Sequence, residues 1–213
     1  MVTKILAIAD EVDEGLYTDK LTRLRPDIVV SAGDLPFDYL EYIVSRLDVP
    51  LVYVPGNHDA ELRSSNPTWT PLGSDAPELG PLGCVNADGR VVVAAGLRIA
   101  GLGGSMRYRR GPNQYTDAEM RWRALSLAVR IKLNPFRAAR RVDVLLTHAP
   151  PLGWGSNDDL AHRGFAAFVP LVKDLAPKVQ IHGHLHPYGR GQPERYLGET
   201  QVVNAVPLRL LEI

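Results

Sequence analysis

Five short apolar runs in this chain each end on residues able to hold a metal ion. Lys4–Ala9 runs into Asp10, Asp27–Ser31 into Gly33-Asp34, and Leu51–Val54 into Gly56-Asn57-His58-Asp59. Val142–Leu146 runs into Thr147-His148, and Lys178–Ile181 into the cluster His182-Gly183-His184-Leu185-His186. Runs this short and this continuous predict strands buried on both faces, which requires a largely parallel sheet covered on each side. The segments between them carry helical spacing, over Leu16–Leu24, Tyr39–Leu47 and 165–175. Strand, polar loop and helix in repetition predict an α/β fold with its chemistry at the carboxyl ends of the strands.

The rest of the chain reads as follows. Residues 61–89 hold Pro67, Pro71, Pro77 and Pro81 with glycines between them, and predict a long irregular rim or lid loop. Arg90–Ala94 and Leu97–Leu102 flank Ala95-Gly96 as a hairpin. Thr116–Leu133 predicts a helix with Thr116 as N-cap, acidic residues in its first turn, and a core stripe of Met120, Ala124, Leu127, Ala128 and Ile131. Arg195–Leu197, Gln201–Asn204 and Leu208–Leu211 predict closing β-structure. No repeat, low-complexity tract or linker interrupts the 213 residues, so residues 1–213 are expected to form one domain.

A net charge of zero argues against nucleic acid or a membrane surface as a partner. The charge is uneven: residues 1–60 carry 5 basic and 11 acidic side chains, a balance that suits cation binding. The single cysteine, Cys84, has no internal partner for a disulfide and reads as a small buried hydrophobe. No signal-peptide pattern or run of membrane-spanning length occurs, so a cytoplasmic protein is expected.

Carboxylates, an amide and imidazoles at neighbouring strand ends are a donor set for a pair of divalent ions. Such a pair implies attack of water on a phosphoryl or carbonyl centre. In this order the five blocks resemble the calcineurin-like metallophosphoesterase family, over nearly the whole chain. The resemblance implies a four-layer α/β/β/α sandwich with two metals at the strand ends. It also implies a metal-dependent phosphoric ester hydrolase, with a small phosphate ester as substrate and a phosphodiester preferred. Asp34 would bridge both metals and Asp10 would bind the first, together with His186. Asn57, His148 and His184 would bind the second. His58 would assist the leaving oxygen, an imidazole role, with Asp59 orienting it. His182 has no ligand role in the pattern.

The chain departs from the family at its first motif, Asp-x-His, where Asp10-Glu11-Val12 places a valine at the histidine position. Either Glu11 or Asp13 replaces the missing ligand, with Asp13 preferred, or water fills the position, or the first site is weak or empty. A carboxylate there would favour Mn²⁺, with Fe, Zn or Ni as alternatives. Arg107 and His162 are candidate substrate contacts. Two other readings remain open from the sequence: a non-catalytic metal-binding or interaction module with a degraded first site, and a nuclease. The sequence leaves the oligomeric state open.

Overall fold

The computed structural model describes residues 2–60, 80–136, 141–154, 159–187 and 193–213. Its first sheet has the order β13-β1-β2-β3-β4, built from Leu208–Glu212, Lys4–Ile8, Ile28–Ser31, Leu51–Tyr53 and Cys84–Asn86. β1 to β4 run parallel, and β13 closes one edge antiparallel. The second sheet has the order β11-β12-β10-β9-β6-β5, from Arg195–Leu197, Thr200–Asn204, Val179–His182, Val144–Thr147, Leu97–Leu102 and Val91–Ala94. Its four central strands are parallel and both edge strands antiparallel.

The alternation of side chains along each strand builds the layers. Ile5, Ala7, Ile28, Val30 and Val52 of the first sheet share one core with Ile99, Val144, Leu146, Val179 and Ile181 of the second. The intervening Leu6, Ile8, Val29 and Leu51 point the other way and pack on helices α1 (Lys20–Leu24) and α2 (Phe37–Leu47). On the second sheet Ala100, Leu102 and Leu145 pack on α3 (Asp117–Lys132) and α4 (Phe168–Leu175). The result is a helix–sheet–sheet–helix stack, as the family resemblance implies; the apolar runs by themselves predict only a covered, largely parallel sheet. Burial of each large aliphatic side chain contributes about 1.5–3 kcal/mol, so the middle core fixes the two sheets face to face.

Two expectations are corrected. Leu16–Leu24 is not one helix: Glu14–Tyr17 forms a single 3₁₀ turn, Thr18 is extended, and α1 begins at Lys20. The stretch 61–89 is not loop throughout, because Cys84–Asn86 pairs parallel to β3; three residues between Gly83 and Ala87 are too few to show a period. The part of that loop at 61–79 lies outside the described residues. A small parallel pair, β7 (Ser105–Met106) with β8 (Gln114–Tyr115), was also not expected. Cys84 is half-buried, and burial lifts its thiol pKa to about 12, which disfavours a nucleophilic role. α3 starts as predicted, with Thr116 and Glu119 forming a reciprocal capping box.

Candidate metal centre

The parallel strands of both sheets deliver their carboxyl ends to one place, and three of the chain turns there are left-handed. Asp10, Asp34 and His184 have φ of 60°, 57° and 68°. Each such residue costs on the order of 1–3 kcal/mol and persists only where its surroundings impose it. Here the imposed turn aims a side chain inward. Asp10, Asp34, His148 and His184 place one ligand atom each within 4.8 Å of one another.

The hydrogen bonds around this group fix which atoms carry protons. His148 Nδ1 lies 2.7 Å from the carbonyl oxygen of Ala32, and His184 Nε2 lies 2.6 Å from that of Ala161. A carbonyl only accepts, so both of these ring nitrogens are N–H donors. The opposite nitrogens, His148 Nε2 and His184 Nδ1, then carry lone pairs when the rings are neutral, and they face each other at 3.1 Å. Asn57 Oδ1 lies 3.0 Å and Asp34 Oδ2 3.3 Å from the same His148 Nε2. The Asn57 amide nitrogen donates to the Tyr108 hydroxyl at 3.3 Å, which turns the amide oxygen inward. With both rings neutral, four lone-pair atoms converge there, a set able to hold a cation. The residues therefore fit a divalent ion, and the set of two imidazoles, an amide and a carboxylate is one that borderline ions accept.

The electrostatics of the bare protein point the same way. Burial opposes charge on His148, but the Asp34 carboxylate beside it, Asp10 and the Ala32 carbonyl overcome this and raise its pKa to about 9. Burial likewise works against ionised Asp34, yet the charge and hydrogen bond of His148 and the His58 N–H hold it at about 2. His184 is pushed down to about 3, by burial and then by the charge on His148, so the two facing imidazoles are not both protonated. Asp10 is raised to about 6 by burial, despite accepting the His184 N–H at 2.8 Å.

Each remaining site residue of the sequence has a definite place. His186 lies outside the four-residue group, and its Nδ1 is 2.6 Å from Glu11 Oε1. Asp13 does not join it: its carboxylate caps the 3₁₀ turn at Gly15 N and pairs with Lys20 at 2.8 Å. Glu11, not Asp13, is thus the acidic side chain beside His186. Val12 packs against the core under α2. Asp59 does not orient His58. Its Oδ2 accepts from the N–H groups of Gly56 and Asp34 at 2.7 and 3.1 Å, which makes it the brace of the turns that present Asp34 and Asn57.

His58 is exposed, and its N–H donates to Asp34 Oδ1 at 2.7 Å. Its ring Nδ1 lies 3.4 Å from Arg109 Nη2. Arginine can only donate, so this contact leaves the His58 proton on Nε2. Arg107 turns away from the site, to Gln114 O and the Glu119 carboxylate at 2.9 Å. The arginine at the site mouth is Arg109, in a turn held by its own and the Tyr108 N–H groups on Gln114 Oε1 and by Asn113 on the Asp59 carbonyl. Nothing in the sequence spacing distinguishes Arg109 from Arg107. His162 pairs with Asp159, its ring centroid 5.4 Å from that of His184. His182 ends β10 fully buried, on the carbonyl of Gly183. A cavity of about 690 Å³ opens beside His58, bounded by Asp34, Leu35, Pro36, Phe37 and Asp59.

Two layers of sheet with a candidate metal-binding group at their shared carboxyl edge match a metallophosphoesterase arrangement. The chain belongs to the calcineurin-like phosphoesterase family, whose model matches residues 4–188. Among solved structures it is similar to TT1561 of Thermus thermophilus, at 19% identity and a TM-score of 0.59, covering 100% of this chain and 98% of that one. Another structure aligns at 20% identity and a TM-score of 0.63, over 96% of this chain and 91% of the other. A third, GAP50, described as the anchor in the inner membrane complex of Plasmodium, aligns at 14% identity and a TM-score of 0.50, over 95% of this chain and 71% of that chain. At these identities the likenesses are of fold. No curated protein sequence matches the chain significantly. Among the described residues, no helix is long and apolar enough to cross a membrane.

Proposed function

We propose that this protein hydrolyses a phosphate ester, preferentially a phosphodiester, at a two-metal centre. The observation that carries the reading is the convergence of His148 Nε2, His184 Nδ1, Asn57 Oδ1 and Asp34 Oδ2, with both imidazole tautomers locked by backbone carbonyls. These four atoms would hold one ion. Asp10, Glu11 and His186 would hold the other, with Asp34 shared, so that Glu11 takes the role left by Val12. When bound, divalent ions supply a water nucleophile at neutral pH and Lewis-acid stabilisation of the phosphoryl oxygens.

The chain's own residues do the rest. Arg109 offers a guanidinium to the phosphoryl oxygens, a planar fork matched to two oxygens. Its contact with His58 Nδ1 keeps a proton on Nε2, from which the neutral ring donates a hydrogen bond to the departing oxygen. Asp59 holds the Gly56 and Asp34 turns in register. The apolar wall of Leu35, Pro36 and Phe37 receives the organic part of the ester.

The test is metal content by elemental analysis, before and after Mn²⁺ loading, with bis-p-nitrophenyl phosphate hydrolysis on the same samples. About two metals per chain with turnover is the expected result. One ion or none, with no turnover in Mn²⁺, would establish the non-catalytic module instead. In the same assay Arg109→Ala should raise KM about tenfold or more, while Arg107→Ala leaves KM unchanged. Equal effects of the two substitutions would remove Arg109 from the substrate.

A further inference from the structure

The turn between β7 and β8 carries one polar group that the chemistry above leaves unused. This turn is tied to the segment that presents Asn57 and His58, since Asn113 Nδ2 donates to the Asp59 carbonyl at 3.2 Å. The buried Gln114 takes the Tyr108 and Arg109 N–H groups on its Oε1, at 3.4 and 3.2 Å. With the backbone held so, successive side chains leave in different directions. Arg107 goes to Glu119 at the start of α3, and Arg109 reaches His58 Nδ1. Tyr108, half-buried between them, brings its hydroxyl to 3.3 Å from Asn57 Nδ2.

The direction of that hydrogen bond is set from the other end of the amide. Asn57 Oδ1 faces His148 Nε2 at 3.0 Å, so the atom turned toward Tyr108 is the amide nitrogen, which only donates. The phenol oxygen therefore accepts here on a lone pair, and its own proton is left for another acceptor. Among the described residues none takes it. Accepting one hydrogen bond polarises the O–H and strengthens it as a donor. Orienting the Asn57 amide uses the oxygen alone and does not account for the proton.

We propose that the Tyr108 hydroxyl donates a hydrogen bond to a phosphoryl oxygen of the substrate, a contact that rests on the reaction proposed above. The neighbouring groups make the same offer. The Arg109 guanidinium carbon lies 5.4 Å from the Tyr108 ring centroid, and Arg109 leaves the His58 proton on Nε2. A phenol, a guanidinium and an imidazole N–H thus line one side of the site, each with hydrogen to give, and an anionic oxygen is what receives it. The phenol is also suited to its place beside Asn57. It is neutral, so it does not repel an ion held by the Asn57 oxygen, as a lysine or arginine so near would.

The test is Tyr108→Phe, which removes one oxygen and keeps the ring beside Arg109. Mn²⁺ content is read by elemental analysis, binding of inorganic phosphate to the Mn²⁺-loaded protein by calorimetry, and kcat/KM with bis-p-nitrophenyl phosphate. The expected result is an unchanged Mn²⁺ content and circular dichroism spectrum, with phosphate bound about tenfold or more weakly, as loss of a hydrogen bond to a charged group implies. The value of kcat/KM should fall by a similar factor. An unaltered phosphate affinity overturns the proposal. So does a loss of Mn²⁺, because the hydroxyl would then serve only to hold the Asn57 amide, and so does a wild type that binds no phosphate. Phosphate binding is read without turnover, which separates the two readings. A wild type that binds phosphate through Tyr108 and cleaves no ester keeps this contact and loses the hydrolase.

Discussion

Asp34→Asn lowers phosphodiester turnover about 10³-fold or more and reduces bound metal, while the protein stays folded. The substitution keeps size and removes charge. In the wild type one carboxylate serves two partners: Oδ1 accepts the His58 N–H at 2.7 Å, and Oδ2 faces His148 Nε2 at 3.3 Å. An amide has one accepting oxygen. If that oxygen keeps the His58 N–H, the amide NH₂ points into the ligand cluster and offers hydrogens where a cation needs lone pairs. If it turns the other way, the His58 N–H loses its acceptor and the turn that presents Asn57 and His58 loosens. Either outcome removes the one anion that the proposed centre shares between its two halves. A thousandfold loss corresponds to about 4 kcal/mol of transition-state stabilisation, the order expected when a metal's charge no longer reaches the reacting oxygens. The measurement is kcat with metal stoichiometry on the purified variant. Turnover within tenfold of the wild type would show that Asp34 does not carry the reaction.

How far this centre could be read from the chain depends on the range of the interactions involved. The strands were legible because Lys4–Ile8, Ile28–Ser31 and Val144–Thr147 are apolar on both faces, which only a covered sheet tolerates. The capping box of α3 was legible because Thr116 and Glu119 are local to one another. Asp13 was misplaced for a related reason. An aspartate ahead of Glu14-Gly15-Leu16, with Lys20 beyond, has the look of an N-cap as much as of a ligand, and its backbone settles the matter in favour of the cap. That Glu11 meets His186 was one of two alternatives the family pattern offered, and the choice could not be read from the chain, since the contact spans 175 residues and depends on how β1 and β10 are brought together by the middle core. The same holds for Arg109 and Arg107. Their composition is identical, and the choice between them is made by Glu119, which draws Arg107 to the start of α3, and by Gln114, which shapes the turn under Arg109. The valine at position 12 was visible as a break in a pattern. Its reason, a place in the apolar cluster beneath α2, was visible only in the packing.

Gly56→Ala should cost about 10²–10³-fold in turnover through a single methyl group. Gly56 precedes Asn57, and a Cβ added there would lie 2.0 Å from Asp34 Oδ1, 2.4 Å from Asp34 Cγ and 2.7 Å from Asp34 N. No such approach is tolerable, so something must move. Gly56 is itself tethered, since its N–H donates to Asp59 Oδ2 at 2.7 Å, and the same Asp59 oxygen receives the Asp34 N–H. Rotation of the Asp34 carboxylate clears Oδ1, but the approach to Asp34 N is to backbone, so the two turns must also separate, and both movements take the carboxylate off His58 N–H and His148 Nε2. The backbone at Gly56 is not left-handed, so alanine carries no conformational penalty of its own. The effect is steric and falls on the centre, with a stability cost of about 1–3 kcal/mol from overpacking. Gly89→Ala is the matched control. Gly89 has φ +69° and nothing within 4 Å of an added Cβ, so alanine there strains the backbone and touches nothing. It should cost about 1–2 kcal/mol, a fall in Tm of roughly 2–8 °C for a chain of this size, with kcat unchanged. Steady-state kinetics, metal content and thermal unfolding on the two variants separate the cases. A Gly56→Ala protein with wild-type turnover would mean that the Asp34 carboxylate is not held in one place, and that the close packing of the two ligand turns is not what the chemistry needs.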